Sequence, residues 1–230
     1  MSIIIGLLII AIGAFCQSSS YVPINKIKSW SWESYWLVQG VFAWIVFPLL
    51  GALLAVPAGS SLFDVYAAYP RESLLTVFFG MLWGVGGLTF GLSMRYLGVA
   101  LGQSIALGIC SALGAILGPV FTGHASDITS AVIIGVVVML AGIAIIGIAG
   151  AMKSASLPEE EKKKAVKDFN FGKGIVVALL SGFMSACFNI GLNYGAPLTF
   201  EGSNPIFATL PATLLVAFGG FLTNSVYCLW

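Results

Sequence analysis

Charged residues are scarce in this sequence of 230 residues. Only 8% of the positions are Asp, Glu, Lys or Arg, and 59% of the residues are hydrophobic. Soluble domains carry about 25% charged residues, so a chain with so few charges cannot cover a soluble surface with polar groups. The mean hydropathy of +1.01 agrees with this. The composition therefore predicts an integral membrane protein.

Patterns typical of enzymes, metal sites and nucleic-acid-binding proteins are missing as well. His124 is the only histidine, and the four cysteines, Cys16, Cys110, Cys187 and Cys228, show no CxxC spacing. The sequence contains no serine-hydrolase, P-loop or zinc-protease motif. Its net charge of +1 produces no field that would attract nucleic acid. We therefore expect no enzymatic activity, no cofactor, no metal and no nucleic-acid partner.

Seven apolar stretches are long enough to cross a bilayer as helices, which takes about 20 residues. They lack the strict alternation of barrel strands, and helices are then the remaining solution for a backbone in hydrocarbon. No Lys or Arg precedes the first stretch, so we expect a retained span and not a removable signal. The predicted fold is an all-α polytopic helical bundle. The stretches are 3–23, 35–56, 74–94, 97–121, 129–151, 174–195 and 206–230.

Basic residues are distributed unevenly between the connections of these spans. Only Arg71 lies in an even-numbered connection, and all other Lys and Arg residues lie in odd-numbered ones. The positive-inside rule then places the odd-numbered connections in the cytoplasm and the N-terminus outside. The residues in odd-numbered connections are Lys26, Lys28, Arg95, Lys153, Lys162, Lys163, Lys164, Lys167 and Lys173.

The longest polar interval, KSASLPEEEKKKAVKDFNFGK at 153–173, follows five predicted spans. We interpret it as a charged cytoplasmic connector; lipid binding is an alternative that the interleaved glutamates weaken. Because five is odd, a second copy of a five-helix unit would be inverted relative to the first, as in many transporters. We predict a first five-helix repeat at 1–152 and the start of a second at 174–230. Only two helices of that second repeat precede Trp230, so we expect a truncated chain.

The stretch GMLWGVGGLTFG, residues 80–91, contains five glycines. Gly80, Gly84, Gly87 and Gly91 are spaced by 4, 3 and 4 residues, which places them on one face of a helix. Small residues on such a face let two membrane helices approach closely. We predict a packing face here. An additional interpretation, that the smooth face lets helices slide during transport, stays open.

Trp83 lies near the middle of its predicted span, away from the interfacial belts where tryptophan is common. It is either a packing residue or a wall that offers a flat apolar face to a sugar ring. Amide side chains within the spans can donate to and accept from sugar hydroxyls, although they serve equally as bonds between helices. The candidate substrate-binding residues are Trp83, Gln39, Gln103, Asn189 and Asn193.

Charged residues near the ends of the spans are candidates for gating and ion coupling. The segment WSWESYW, residues 30–36, places Glu33 at the cytoplasmic entry to the second span. The simplest interpretation is an aromatic belt with a solvated acid. The alternative makes Glu33 a gate or protonation site, because acids at membrane depth mark ion pathways. Arg95 and Tyr96, close to Gln103, are candidates for an inner gate.

Four stretches have a distinctive sequence: KSWSWESYW, MLWGVGG, GLSMRYLGVALGQSIALGI and NPIFATLPA. Together they resemble the bacterial L-rhamnose–proton symporter family of the drug/metabolite transporter superfamily, most densely over 26–110, and MRYLG is the most specific part. The resemblance implies about ten helices in two inverted halves, in the inner membrane, and proton-driven uptake of a deoxy sugar. It provides no map of the binding residues. The chain covers about seven of the ten helices.

The main functional hypothesis is therefore a sugar–proton symporter that works by alternating access, with Na⁺ as the alternative coupling ion. The second hypothesis is an exporter of drugs or small metabolites on the same scaffold. A third, a membrane-embedded enzyme or assembly subunit, lacks a catalytic motif. The expected partners are a sugar and membrane lipid, and a homodimer is left open.

Overall fold

The structure is a computed structural model that describes residues 3–19, 27, 29–156 and 170–230. All regular elements within these residues are helical, which confirms the predicted all-α polytopic bundle. The α-helices are α1 (Ile3–Ser19), α2 (Trp32–Gly40), α3 (Phe47–Leu53), α4 (Leu62–Ala68), α5 (Pro70–Leu97), α6 (Val99–Phe121), α7 (Ser130–Ser156), α8 (Phe171–Tyr194) and α9 (Leu210–Leu229). A π-helical segment covers Val41–Val46, and a 3₁₀ turn covers Ala125–Asp127.

Within the described ranges, six helical stretches are long and apolar enough to cross a membrane, and not the seven predicted. The difference is α1, which has 17 residues and measures about 26 Å at a rise of 1.5 Å per residue, less than a hydrocarbon core of about 30 Å. Residues 20–23 of the predicted first span lie outside the described residues. The six stretches are Glu33–Leu53, Pro70–Leu97, Leu101–Phe121, Ser130–Ala149, Phe171–Tyr194 and Leu210–Leu229.

The span Glu33–Leu53 is continuous but changes its hydrogen-bond pattern in the middle. Pro48 lies in the first turn of α3 and has no N–H with which to continue the α-helical ladder. Just before it, the Phe47 N–H donates to the Phe42 carbonyl, five residues back. The resulting π segment contains Trp44. Such segments occur frequently at functional sites.

Helix α5 packs against both α8 and α9 and runs antiparallel to α8. The Thr76 hydroxyl donates to the Gly191 carbonyl at 3.3 Å, and the Ser181 hydroxyl donates to the Gly86 carbonyl at 3.0 Å. A Cβ on Gly86 would lie 2.6 Å from the backbone nitrogen of Ser185, closer than non-bonded atoms can approach. The contact between α5 and α8 therefore depends on glycine at position 86.

On its other side, α5 runs parallel to α9. The Thr223 hydroxyl donates to the Met81 carbonyl at 2.9 Å. A Cβ on Gly80 would overlap the carbonyl oxygen of Val216, and one on Gly84 would lie 2.8 Å from the Thr223 Cβ. Gly80 and Gly84 thus bring the two backbones together, which is the usual role of small residues between membrane helices.

The four-glycine face predicted for this helix needs correction. Gly87 and Gly91 are exposed, and a Cβ on either would have no described atom within 4 Å. The third close contact belongs to Gly86, which the predicted stripe leaves out. The physical reason is that α8 and α9 pack on different sides of α5. A spacing of three and four residues identifies one helical face but not where a neighbouring helix covers it.

The connection between α5 and α6 is a single residue, Gly98. Its φ of +82° is a left-handed conformation that favours glycine, and its N–H donates to the Met94 carbonyl at 2.9 Å. The Asn170 N–H donates to the Tyr96 carbonyl at 3.1 Å, which fixes the start of α8 beside the end of α5. Helix α6 consequently runs parallel to α8.

Helix α4 fixes the start of α9 from outside the six spans. The Tyr66 hydroxyl donates to the Pro211 carbonyl at 3.0 Å. Burial disfavours the charged phenolate and raises the pKa of Tyr66 to about 12. The phenol therefore keeps its proton, and with it this hydrogen bond, at neutral pH.

Candidate functional site

A widely open cavity of about 530 Å³ lies between α5, α6 and α8. Its volume is within the range of about 300–1,000 Å³ that is typical of small-molecule sites. Its walls combine aromatic rings, aliphatic groups and a few hydroxyl and amide groups. The lining residues are Trp83, Cys110, Ser111, Gly114, Ala115, Ser185, Ala186, Phe188, Asn189 and Leu192.

The aromatic wall of the cavity is the end of a series of rings that begins on α2. The Trp36 and Trp44 rings are 5.5 Å apart, Trp44 and Trp83 are 6.0 Å apart, and Trp83 and Phe188 are 5.0 Å apart. All three pairs meet edge to face, an arrangement worth about 0.5–1.5 kcal/mol per pair beyond burial. Trp83 is therefore held by neighbouring rings while it lines the cavity.

The polar wall is formed mainly by α8. The Asn189 Nδ2 donates to the Gly114 carbonyl of α6, and Ser185 lines the cavity one turn earlier. The Asn193 Nδ2 donates to the Asn189 carbonyl at 2.8 Å, and a Cβ on Gly118 would lie 2.5 Å from that same nitrogen. Asn193 is thus seated between α6 and α8 and does not line the cavity.

The two glutamines lie elsewhere. Gln39 is on α2, and its Oε1 is buried without a hydrogen-bond partner in the described part of the chain. Gln103 is on α6, and its side chain is exposed. Of the five candidate substrate-binding residues, the structure brings Trp83 and Asn189 into one cavity. Gln39, Gln103 and Asn193 are outside it.

The candidate gating residues also lie away from the cavity. Glu33 is exposed in the first turn of α2, and Arg95 is exposed in the last turn of α5. Tyr96 follows Arg95 and accepts the hydrogen bond from Asn170 through its backbone. Arg95 and Tyr96 therefore lie where α5 ends and α8 begins.

Sequence reasoning missed several residues that build the site. The Trp36 Nε1 donates to the Asn224 Oδ1 at 2.9 Å, and the Asn224 Nδ2 donates to the Gly220 carbonyl at 2.8 Å. Asn224 is only 3% exposed, so it joins α2 to α9 inside the bundle. Trp36 and Asn224 lie in two apolar spans that are far apart in the sequence, so no sequence pattern predicts that they form a hydrogen bond.

A signal for the polar wall is present in the sequence of α8. Ser181, Ser185, Asn189 and Asn193 recur at every fourth position, which places them along one helical face. Ser181 donates a hydrogen bond to α5, Asn189 donates one to α6, and Ser185 lines the cavity. This polar stripe would have identified α8 as the wall of a polar site.

Among the residues that the structure describes, no group of three His, Cys, Asp or Glu side chains is placed to hold a metal ion.

A cavity lined by aromatic rings together with hydroxyl and amide groups can accommodate a small polyol. The sequence model of the L-rhamnose-proton symport protein family matches residues 1–230. The chain belongs to this family. No solved structure matches it.

Curated relatives of this chain include proteins of Escherichia and Shigella. The L-rhamnose-proton symporter of Escherichia coli strain Crooks is 33% identical over 229 residues, and that of Shigella dysenteriae serotype 1 is 34% identical over 230 residues. The symporter of Shigella boydii serotype 18 is 33% identical over 229 residues. Each match covers 94% of this chain and 64% of the relative. The chain therefore spans less than two thirds of the length of these relatives.

Proposed function

We propose that this chain is part of a secondary transporter that takes up an L-rhamnose-like deoxy sugar together with a proton, by alternating access. The observation that carries the proposal is the cavity that Trp83 and Phe188 line together with Ser111, Ser185 and Asn189. Membership of the L-rhamnose-proton symport protein family and the names of the curated relatives support the same substrate and coupling ion.

The two kinds of lining group match the two kinds of surface on a deoxy sugar. Such a sugar has an apolar face of C–H groups and a methyl group, and its edge carries hydroxyls. The rings of Trp83 and Phe188 offer the apolar face a flat surface. The hydroxyls of Ser111 and Ser185 and the amide of Asn189 can each donate and accept hydrogen bonds. An unpaired sugar hydroxyl among apolar groups would be costly, so the polar lining groups favour a polyol over an apolar drug.

We further propose that 1–152 forms one five-helix repeat, that 153–173 is a cytoplasmic connector, and that 174–230 begins a second, inverted repeat of a ten-helix transporter. Helices α8 and α9 follow the connector and pack directly on α5. The cavity is therefore lined by α5 and α6 from one proposed repeat and by α8 from the other. Substrate sites between repeats are typical of inverted-repeat transporters.

The proposed location is the inner membrane, with the end of α5 and the start of α8 on the cytoplasmic side. Arg95 lies in the last turn of α5, and Lys173 in the first turn of α8. The hydrogen bond from Asn170 to Tyr96 holds these two ends together. Basic residues at one end of the bundle agree with the positive-inside rule.

Uptake of labelled L-rhamnose tests the proposed function. Cells that lack their own L-rhamnose uptake and express the complete reading frame should accumulate the label. A proton uncoupler should abolish the accumulation, because the proton gradient drives it, and replacing Na⁺ by K⁺ should change nothing. Cells with the empty vector are the control. Uptake that persists with the uncoupler, or none at all, would reject proton symport of this sugar.

Glu33 is the proposed protonation site, and its substitution is a separate test. Glu33→Gln removes the carboxyl that would carry the proton while keeping the shape of the side chain, so the pH dependence of uptake should become flatter. The matched control is Glu72→Gln, because Glu72 also lies in the first turn of a spanning helix, α5. A pH profile of Glu33→Gln that superimposes on that of the unsubstituted protein would remove Glu33 from proton coupling.

A further inference from the structure

The ring of Trp83 rests on a glycine of the neighbouring helix. If Gly220 of α9 carried a Cβ, that atom would lie 2.5 Å from both Cε3 and Cζ3 of the Trp83 indole. Real Cβ atoms do not approach other heavy atoms so closely, because repulsion rises steeply below van der Waals contact. The ring occupies its present position only because residue 220 has no side chain.

Two adjacent glycines of α9 differ in what surrounds them. A Cβ on Gly219 would overlap the Val77 carbonyl oxygen and lie 2.8 Å from the Met81 nitrogen, which are backbone atoms of α5. For Gly220, the next nearest atom after the Trp83 ring is the Gly80 carbonyl oxygen at 3.6 Å, an ordinary contact. A methyl group at position 219 would separate two helices. At position 220 the close contact is with the Trp83 ring.

The direction in which that side chain can move follows from its other neighbours. Trp44 and Phe188 meet the Trp83 ring edge to face, with ring centroids 6.0 Å and 5.0 Å away. The cavity is lined by α5, α6 and α8 and by no residue of α9. The open space that Trp83 lines is this cavity, so a ring displaced from α9 has room to move into it.

We propose that Gly220 is a positioning residue for sugar binding. By leaving room for the indole of Trp83, it keeps this ring from projecting further into the cavity between α5, α6 and α8. Gly220 does not touch the sugar and acts through Trp83. The position of the Trp83 ring sets the volume of the cavity that is open to the sugar. It also sets where the apolar surface of the cavity lies. This inference rests on the proposed function.

The first experiment measures the position of the ring without any sugar. Cys110 lines the cavity together with Trp83, whereas Cys187 is 1% exposed. In purified protein with Cys16→Ser and Cys228→Ser, a small hydrophilic methanethiosulfonate should modify Cys110. Gly220→Ala should slow this reaction by about tenfold, because the displaced indole would restrict access to the Cys110 thiol. Gly87→Ala is the matched control, because a Cβ there has no described atom within 4 Å.

The second experiment measures the consequence for the sugar. Gly220→Ala should raise the KM for L-rhamnose about tenfold with little change in kcat, since the ring obstructs binding and not the transport cycle. Adding Trp83→Phe to Gly220→Ala should lower the KM toward that of the Trp83→Phe single variant, because a smaller ring has room beside the added methyl. A merely structural role of Gly220 would reduce the amount of folded protein and leave the KM unchanged.

The two readouts separate the inference from the proposed function. An unchanged rate of Cys110 modification in Gly220→Ala overturns the inference, whatever the uptake shows. Slower modification in a protein that never takes up L-rhamnose supports the position of the ring and rejects the proposed function. If Gly220→Ala does not fold, the double variant Gly220→Ala/Trp83→Phe decides: the smaller ring should restore folded protein, and a double variant that also fails to fold overturns the inference.

Discussion

Trp83→Ala is expected to raise the KM for L-rhamnose roughly 30-fold, which corresponds to about 2 kcal/mol, the loss typical of truncating a central tryptophan in a binding site. The indole forms the α5 side of the cavity and is held against Phe188. Alanine at this position removes the flat apolar surface that the sugar ring would cover. The measurement is the initial rate of uptake over a range of sugar concentrations.

The KM is the informative quantity because it does not depend on how much protein folds. Removing a large side chain also leaves an internal void, which usually costs about 3–5 kcal/mol of stability, so the maximal rate of uptake should fall as well. Trp30→Ala is the matched control, since Trp30 is 50% exposed and precedes α2. A KM for Trp83→Ala equal to that for Trp30→Ala would show that Trp83 does not bind the sugar and only packs against its neighbours.

The site could be predicted in part, and the reason lies in what each residue type requires. Trp83 and Asn189 are conspicuous in sequence because a mid-span indole and a mid-span amide both need partners within the bundle. Gln103 looks equivalent to Asn189 in sequence, yet its side chain is exposed. The helical face that a residue occupies is readable from the sequence, whereas the position of the neighbouring helices around that face is not.

The same limit applies to the fold. The apolar stretches predicted the spanning helices, because hydrocarbon leaves the backbone no alternative. The short described length of α1 and the π segment before Pro48 were not predicted, since both depend on local geometry that composition does not reveal. Gly86 shows the point most directly. It lies within the glycine-rich stretch, but only the approach of Ser185 on α8 makes it necessary.

Gly80→Ala is expected to remove most of the folded protein. The added Cβ would overlap the carbonyl oxygen of Val216 and lie 2.9 Å from its carbonyl carbon. These are backbone atoms that cannot rotate away, so α5 and α9 must separate. Separation would also break the hydrogen bond from Thr223 to the Met81 carbonyl. Overpacking in well-packed interiors costs about 1–3 kcal/mol, and we expect the upper end or more because no side chain can yield.

The amount of monodisperse protein in detergent extracts, measured by fluorescence-detected size-exclusion chromatography, checks this expectation. Gly87→Ala and Gly91→Ala are matched controls on the same helix, because a Cβ at either position has no described atom within 4 Å. Alanine is favoured over glycine in a helix by about 1 kcal/mol, so these controls should be as abundant as the unsubstituted protein or more so. If Gly80→Ala gave as much folded protein as Gly87→Ala, α5 and α9 would not be in close contact at Gly80. The contact between the Trp83 ring and α9 would then be in doubt as well.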